Sequence, residues 1–139
     1  GYIGRRYTKK KVKINNKPLH YISSDGFHIY VGKNNLQNDQ LTFHFAVGND
    51  WWFHAKQAPG SHVIVRTNGA ELPDTTFEEA ARLAAYYSSM RGSDKVEIDY
   101  VEKKQVKKPG GGKPGFVVYY TNYSMVIDSN ISQIRLCAD

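Results

Sequence analysis

The sequence predicts an α+β fold: a single domain with a mostly antiparallel sheet and about two packed helices, in the order ββαββαβββ. Three observations carry this. Short apolar runs are separated by turn-forming clusters, one long stretch repeats its apolar residues at helical spacing, and Val96 to Tyr100 alternates apolar with charged side chains. At 139 residues the chain has the length of one domain, sufficient to bury a core without disulfides or a structural metal. Its 40% hydrophobic and 13% aromatic content separates it from disordered and low-complexity chains.

Residues 1–16 have little apolar pattern beyond Tyr7, Val12 and Ile14 and read as a basic arm or the end of a linker, with the domain occupying 17–139. Leu19–Ile22 and Phe27–Val31 form a hairpin across Ser23-Ser24-Asp25-Gly26, with Phe27, Ile29 and Val31 on one buried face. Between Asn34 and Ala46 the period changes; Leu41 and Phe45 lie one turn apart and Asn38 is available as a cap, which predicts a short helix. Trp51–Ala55 and His62–Arg66 are strand-like and joined through Pro59-Gly60. The strongest helix follows, from a capping box at Thr75-Thr76-Phe77-Glu78-Glu79 to Arg91-Gly92, with Phe77, Ala80, Ala81, Ala84 and Tyr87 on one face. Val96, Ile98 and Tyr100 then alternate with Lys95, Glu97 and Asp99, a strand whose charged face is expected to be wet. Phe116–Tyr120 and Met125–Ile127 complete the strands.

The net charge of +6 is unevenly spread. Residues 1–20 carry seven Lys or Arg and residues 103–115 carry Lys103, Lys104, Lys107, Lys108 and Lys113, with no acid in either run. The rest of the chain holds seven basic residues against all 13 acidic ones, a formal charge of −6. Two acid-free basic runs on an acidic body are the footprint of a polyanion binder, because clustered cations displace counterions from phosphates. The bland alternative is a pair of solvated, solubilising segments.

Cys137, the lone cysteine, has no intrachain partner, which points to the cytoplasm. No window approaches the ~20 apolar residues of a membrane span, and the opening lacks the apolar core of a signal peptide. The absent initiator Met leads us to expect a fragment of a longer chain.

Five histidines (20, 28, 44, 54 and 62) form no H-E-x-x-H and no short helical pair, so neither a metal nor another cofactor is expected. Asp50, His54, Ser61 and His62 could converge as a hydrolytic centre, though such types co-occur by chance and the histidines could simply brace the Pro59-Gly60 turn. Lys107-Lys108-Pro109-Gly110-Gly111-Gly112-Lys113-Pro114-Gly115 fails as a Walker motif, because Pro114 stands where a metal-binding hydroxyl is needed. Glycines between lysines still let a backbone approach a phosphate chain closely. Tyr2, Tyr7 and Trp51 or Trp52 are the aromatics assigned to a binding face, where they could stack on unpaired bases.

Ser23-Ser24-Asp25-Gly26, Val31 through Asp39, Asp50 through Lys56, Pro59-Gly60-Ser61-His62-Val63 and Val106 through Gly115 together closely resemble the NFACT-R domain, over nearly the whole chain. The sequence departs from the family pattern at Trp51, usually aliphatic, and at His44, often lysine. The resemblance implies an RNA-binding module found toward the C-terminus of the RqcH proteins, long called fibronectin-binding proteins. These act in ribosome-associated quality control on obstructed large subunits, bind tRNA and direct C-terminal alanine tailing. Partners implied are tRNA, large-subunit ribosomal RNA and the parent chain's other domains, with fibronectin as an adhesin alternative and no membrane. Residues matching the family's polar positions are Asn34, Asn38, Asp39, His54, Lys56, Ser61, His62, Lys107, Lys108 and Lys113; Lys104 joins them on charge. No catalytic residue is assigned, and the competing reading is a nucleic-acid-processing enzyme using His54 and His62.

Overall fold

The structure, a computed structural model, describes residues 17–137. It contains β1 (Leu19–Ile22), β2 (His28–Val31), α1 (Asn35–Gln40) running into a π-helical turn (Leu41–Phe45), β3 (Trp51–Ala55), β4 (Val63–Val65), α2 (Asp74–Tyr86), β5 (Val96–Glu102), β6 (Tyr123–Ile127) and β7 (Arg135–Leu136). The fold class is the predicted α+β, with every strand pair antiparallel and the sheet ordered β6-β5-β3-β4-β2-β1-β7.

The apolar triplet Val63-Ile64-Val65 occupies the middle of that order and is fully buried, as a strand covered on both faces must be. Pleating then sorts its neighbours. Phe53, Ala55, Val63, Val65 and Ile98 face α2, which contributes Ala80, Ala81, Leu83 and Ala84. Trp52, Ile64 and Val101 face the other way, against Leu41, Ala46 and Val106. Each large aliphatic or aromatic side chain so buried contributes about 1.5–3 kcal/mol. The β1–β2 hairpin tip is tied to α2: Ser24 N–H donates to Glu79 Oε1 at 2.8 Å and Thr76 Oγ1 donates to Asp25 at 2.8 Å.

Several local expectations are corrected. Phe116–Tyr120 is not a strand; it keeps a single bridge, Lys107 with Val118, because the chain there crosses over the sheet rather than adding to it. The third late strand is instead the two-residue β7, paired with β1. Asn34, not Asn38, caps α1, accepting from Gln37 N–H at 2.9 Å. The capping box before α2 does not form: Pro73 stands at the cap without a side-chain bond, while Thr76 and Glu79 serve the hairpin. That helix stops at Tyr86, short of Arg91. Asp99 is buried rather than wet, accepting from Tyr119 Oη and Ser124 Oγ, each at 2.8 Å. Tyr2, Tyr7 and the proposed 1–16 arm lie outside the described residues.

Candidate nucleic-acid interface

The sheet face opposite α2 brings together Asn38, Asp39, His54, His62 and Lys108. Asn38 and Thr42 stand one turn apart, so both side chains reach His62, the residue just ahead of β4: Asn38 Oδ1 accepts from His62 N–H at 3.1 Å, and Thr42 Oγ1 lies 2.8 Å from His62 Nδ1. His62 Nε2 lies 3.1 Å from the Gly115 carbonyl. A carbonyl only accepts, so Nε2 carries the proton and Nδ1 accepts from the Thr42 hydroxyl. Burial, with His54 beside it, pushes the His62 imidazole down to about 3. Neutral and bonded at both nitrogens, His62 is a structural pin.

Lys108 is engaged in the same way. Its Nζ lies 2.6 Å from Asp39 Oδ1, and it also donates to the carbonyls of Lys113 at 2.6 Å and Phe116 at 3.3 Å. Gly115 N–H donates to Asp39 as well, at 3.2 Å. Burial alone would raise the Asp39 carboxyl, but Lys108 and the Gly115 N–H hold it below the usual carboxylate range. Gly115 has φ of +87° and sits so near α1 that a Cβ would meet Asn35 Oδ1 at 2.9 Å. The basic loop is thus pinned at its base, while Lys107 and Lys113 are exposed, with no carboxylate within ion-pair distance among the described residues.

Between this loop and the sheet lies a cavity of about 340 Å³ walled by Trp52, His54, Gln57, His62, Phe116 and Tyr119, among others. The His54 ring stacks on Trp52 at 5.8 Å and meets His62 edge-on at 5.5 Å. Burial holds the His54 imidazole below its usual value. Burial and the bond to Asp99 raise the Tyr119 phenol. A larger hollow of about 540 Å³, walled by Tyr30, Leu41 and Phe45, is lined by none of the sequence-selected residues.

Other selected residues lie elsewhere or act differently. Asn34 is the α1 cap, and Ser61 N–H donates to the Tyr87 carbonyl. Lys56 sits 3.5 Å from both Asp99 and Glu97, whose charges raise its ammonium, and Lys104 pairs with Glu102 at 3.4 Å. Of the hydrolytic constellation, His54 and His62 do share a cleft. Asp50, however, is buried and spends its oxygens on Arg66 Nε at 3.1 Å and the N–H groups of Val47 and Thr67. Trp51 faces the α2 side, its ring 4.9 Å from Phe77. Sequence reasoning missed Thr42, Tyr119 and Phe116. The Asn38/Thr42 spacing was a usable signal, since two polar residues at i and i+4 beside buried Leu41 ask for a polar partner.

Among the described residues, no group of three or more His, Cys, Asp or Glu is placed to hold a metal, and no helix is long and apolar enough to cross a membrane. A sheet with a helix on one face and a pinned, lysine-bearing loop over an aromatic cleft on the other makes this an α+β domain with a basic loop on its second face. More particularly, the chain belongs to the family of the NFACT protein RNA binding domain, whose profile matches residues 17–120. It is 49% identical over 120 residues to the Rqc2 homolog RqcH of Streptococcus suis and 44% identical to that of Bacillus subtilis. Each match covers 86% of this chain and 21% of the relative, so the chain spans about a fifth of the length of these curated relatives. A solved structure of the C-terminal of the fibronectin/fibrinogen-binding protein from Streptococcus suis superposes with a TM-score of 0.80 at 46% identity, covering 84% of this chain and 47% of that one.

Proposed function

We propose that this domain is a non-catalytic RNA-binding module of a cytoplasmic RqcH-type factor, contacting tRNA and large-subunit ribosomal RNA and so supporting C-terminal alanine tailing of stalled chains. The observation that carries the RNA contact is the pinned loop with its free lysines. Lys108 and Asp39 hold the loop's shape, leaving Lys107 and Lys113 to meet phosphates. His54 lines the cavity under this loop, whereas Asn34, Lys56, Ser61 and Lys104 have the other partners described above. His62, Asn38 and Asp39 serve it by positioning.

The test is binding of the full chain to labelled tRNA and to a ribosomal RNA hairpin across a salt series. Changing Lys107 and Lys113 together to Glu removes two phosphate contacts and flattens the log K against log salt slope by about 1.4–1.8. An unchanged slope and affinity would refute the assignment. The RNA is run on a gel afterwards, since cleavage would favour the hydrolytic reading of His54 and His62. Because a structural relative is described as fibronectin/fibrinogen-binding, immobilised fibronectin is the parallel arm. Salt-resistant capture there, with no RNA binding, would favour an adhesin module.

A further inference from the structure

The α2 side of the sheet carries a hollow opposite in charge to the basic loop. Trp51, Phe77, Tyr100 and Tyr123, from β3, α2, β5 and β6, line this space of about 440 Å³. Their rings form one set: Trp51 lies 4.9 Å from Phe77, 6.0 Å from Tyr100 and 6.1 Å from Tyr123, and Tyr100 lies 5.6 Å from Tyr123. Strand register accounts for the last contact, because Tyr123 stands opposite Tyr100 across β5 and β6. The set opens to solvent, with Tyr123 59% exposed.

The rim is anionic. Asp74 and Glu78, exposed and one turn apart on α2, line the hollow, and among the described residues no Lys, Arg or His does. Neither carboxylate has an ion-pair partner among the described residues, and Arg82, one turn further along, is turned to Asp128 at 3.1 Å. Burial, then Tyr123 and the Asp74 carboxylate, raise the Tyr100 phenol, so the Asp74 charge is felt at the rings. The α2 N-terminus adds a partial charge of about +0.5, which two carboxylates outweigh. This face repels phosphate and attracts cations.

Aromatic faces and carboxylates together select among cations. A guanidinium stacks flat on a ring and meets a carboxylate through parallel N–H bonds, whereas an ammonium is a compact, strongly hydrated point charge. β6 offers a place for the chain that carries it: it is the outer strand of the sheet, bonded among the described residues to β5 alone, so an extended segment fits along its free edge beside the hollow. We propose that this hollow takes an arginine side chain of a partner protein, presented by an extended segment lying along β6, stacked on the aromatic set and paired with the Asp74 and Glu78 carboxylates. The inference goes beyond the RNA-binding reading, since it places a protein contact on the sheet face opposite the basic loop.

The probe is the capped pentapeptide acetyl-Thr-Val-Arg-Val-Thr-amide, titrated into the 15N-labelled full chain beside its citrulline counterpart, which keeps the shape and loses the charge. The arginine peptide shifts the Trp51 indole signal, identified with Trp51→Phe, and the amides of residues 123–127, and the citrulline peptide binds roughly 2- to 30-fold more weakly. Tyr123→Ala, at an exposed edge position, weakens the arginine peptide by a similar factor, while Tyr123→Phe keeps the ring and the affinity. Asp74→Asn combined with Glu78→Gln also weakens it and flattens its salt dependence. Equal binding of the arginine and citrulline peptides, shifts confined to the basic-loop face, or no shift at millimolar peptide would overturn the proposal. Capped arginine amide binding as tightly as the peptide would overturn the partner segment. RNA binding through Lys107 and Lys113 is untouched by these variants, so the two readings fail separately.

Discussion

A Cβ at Gly32 would overlap Asn38 Oδ1 and lie only 3.0 Å from the Asn38 backbone nitrogen. Gly32→Ala therefore drives the Asn38 amide away from His62. Gly32 N–H donates to the His62 carbonyl at 3.1 Å and His62 N–H to Asn38 Oδ1 at 3.1 Å, so the three residues form one buried junction where the end of β2 and the start of β4 meet α1. Two costs follow, an unmet buried His62 N–H and a crowded helix, each about 2 kcal/mol. The lower chain entropy of Ala in the unfolded state offsets about 0.7 kcal/mol. The net loss is about 3 kcal/mol, which at about 4 °C per kcal/mol for this size lowers Tm by roughly 12 °C. Urea melts followed by tryptophan fluorescence measure it. A double-mutant cycle with Asn38→Ala isolates the clash, since Gly32→Ala in that background is expected to cost under about 1 kcal/mol. A loss below about 1 kcal/mol in the parent, or equal losses in both backgrounds, would refute the junction.

Two further outcomes are expected. His62 titrates near 6.5 when unfolded and is pushed down to about 3 in the fold, so its contribution is full above pH 6.5 and is lost as pH falls toward 3. About 2 kcal/mol disappears between pH 7 and pH 5, and His62→Gln shows a correspondingly flatter profile in urea melts at the two pH values; parallel profiles would contradict this. Asp39→Ala frees Lys108 and the Gly115 N–H, so amide exchange across residues 109–116 accelerates about tenfold while the α2 core keeps its protection. Unchanged exchange in that loop would show that Lys108 does not pin it.

The sheet and α2 were legible because their signals are local: turn residues at 23–26, alternation from Val96, helical spacing from Phe77 to Ala84. Failures came where tertiary demand overrode local chemistry. Phe116–Tyr120 has the composition of a strand, but Val117 and Tyr119 are used to cover Trp52 and Val101. The residues Thr76 and Glu79 look like cap chemistry, yet a distant hairpin competes for them and wins. In the site, residue types were readable and their division of labour was not. Five lysines in one run look alike in sequence, yet Lys108 turns inward to Asp39 and Lys104 pairs with Glu102, whereas Lys107 and Lys113 stay free. Only the return of residue 115 onto α1 and β4, far from both in sequence, separates them.

β3 sits between β4 and β5, although β5 follows β4 in the chain by some thirty residues. During vectorial synthesis one edge of β3, bearing Trp52 and Phe53, therefore waits unpaired until Val96–Glu102 has emerged, with α2 made in the interval. An unpaired apolar edge invites association with other chains. Any shortened version ending between α2 and β5 keeps the helix and most of the core sequence but is left with that open edge, so the soluble unit has to extend through β5.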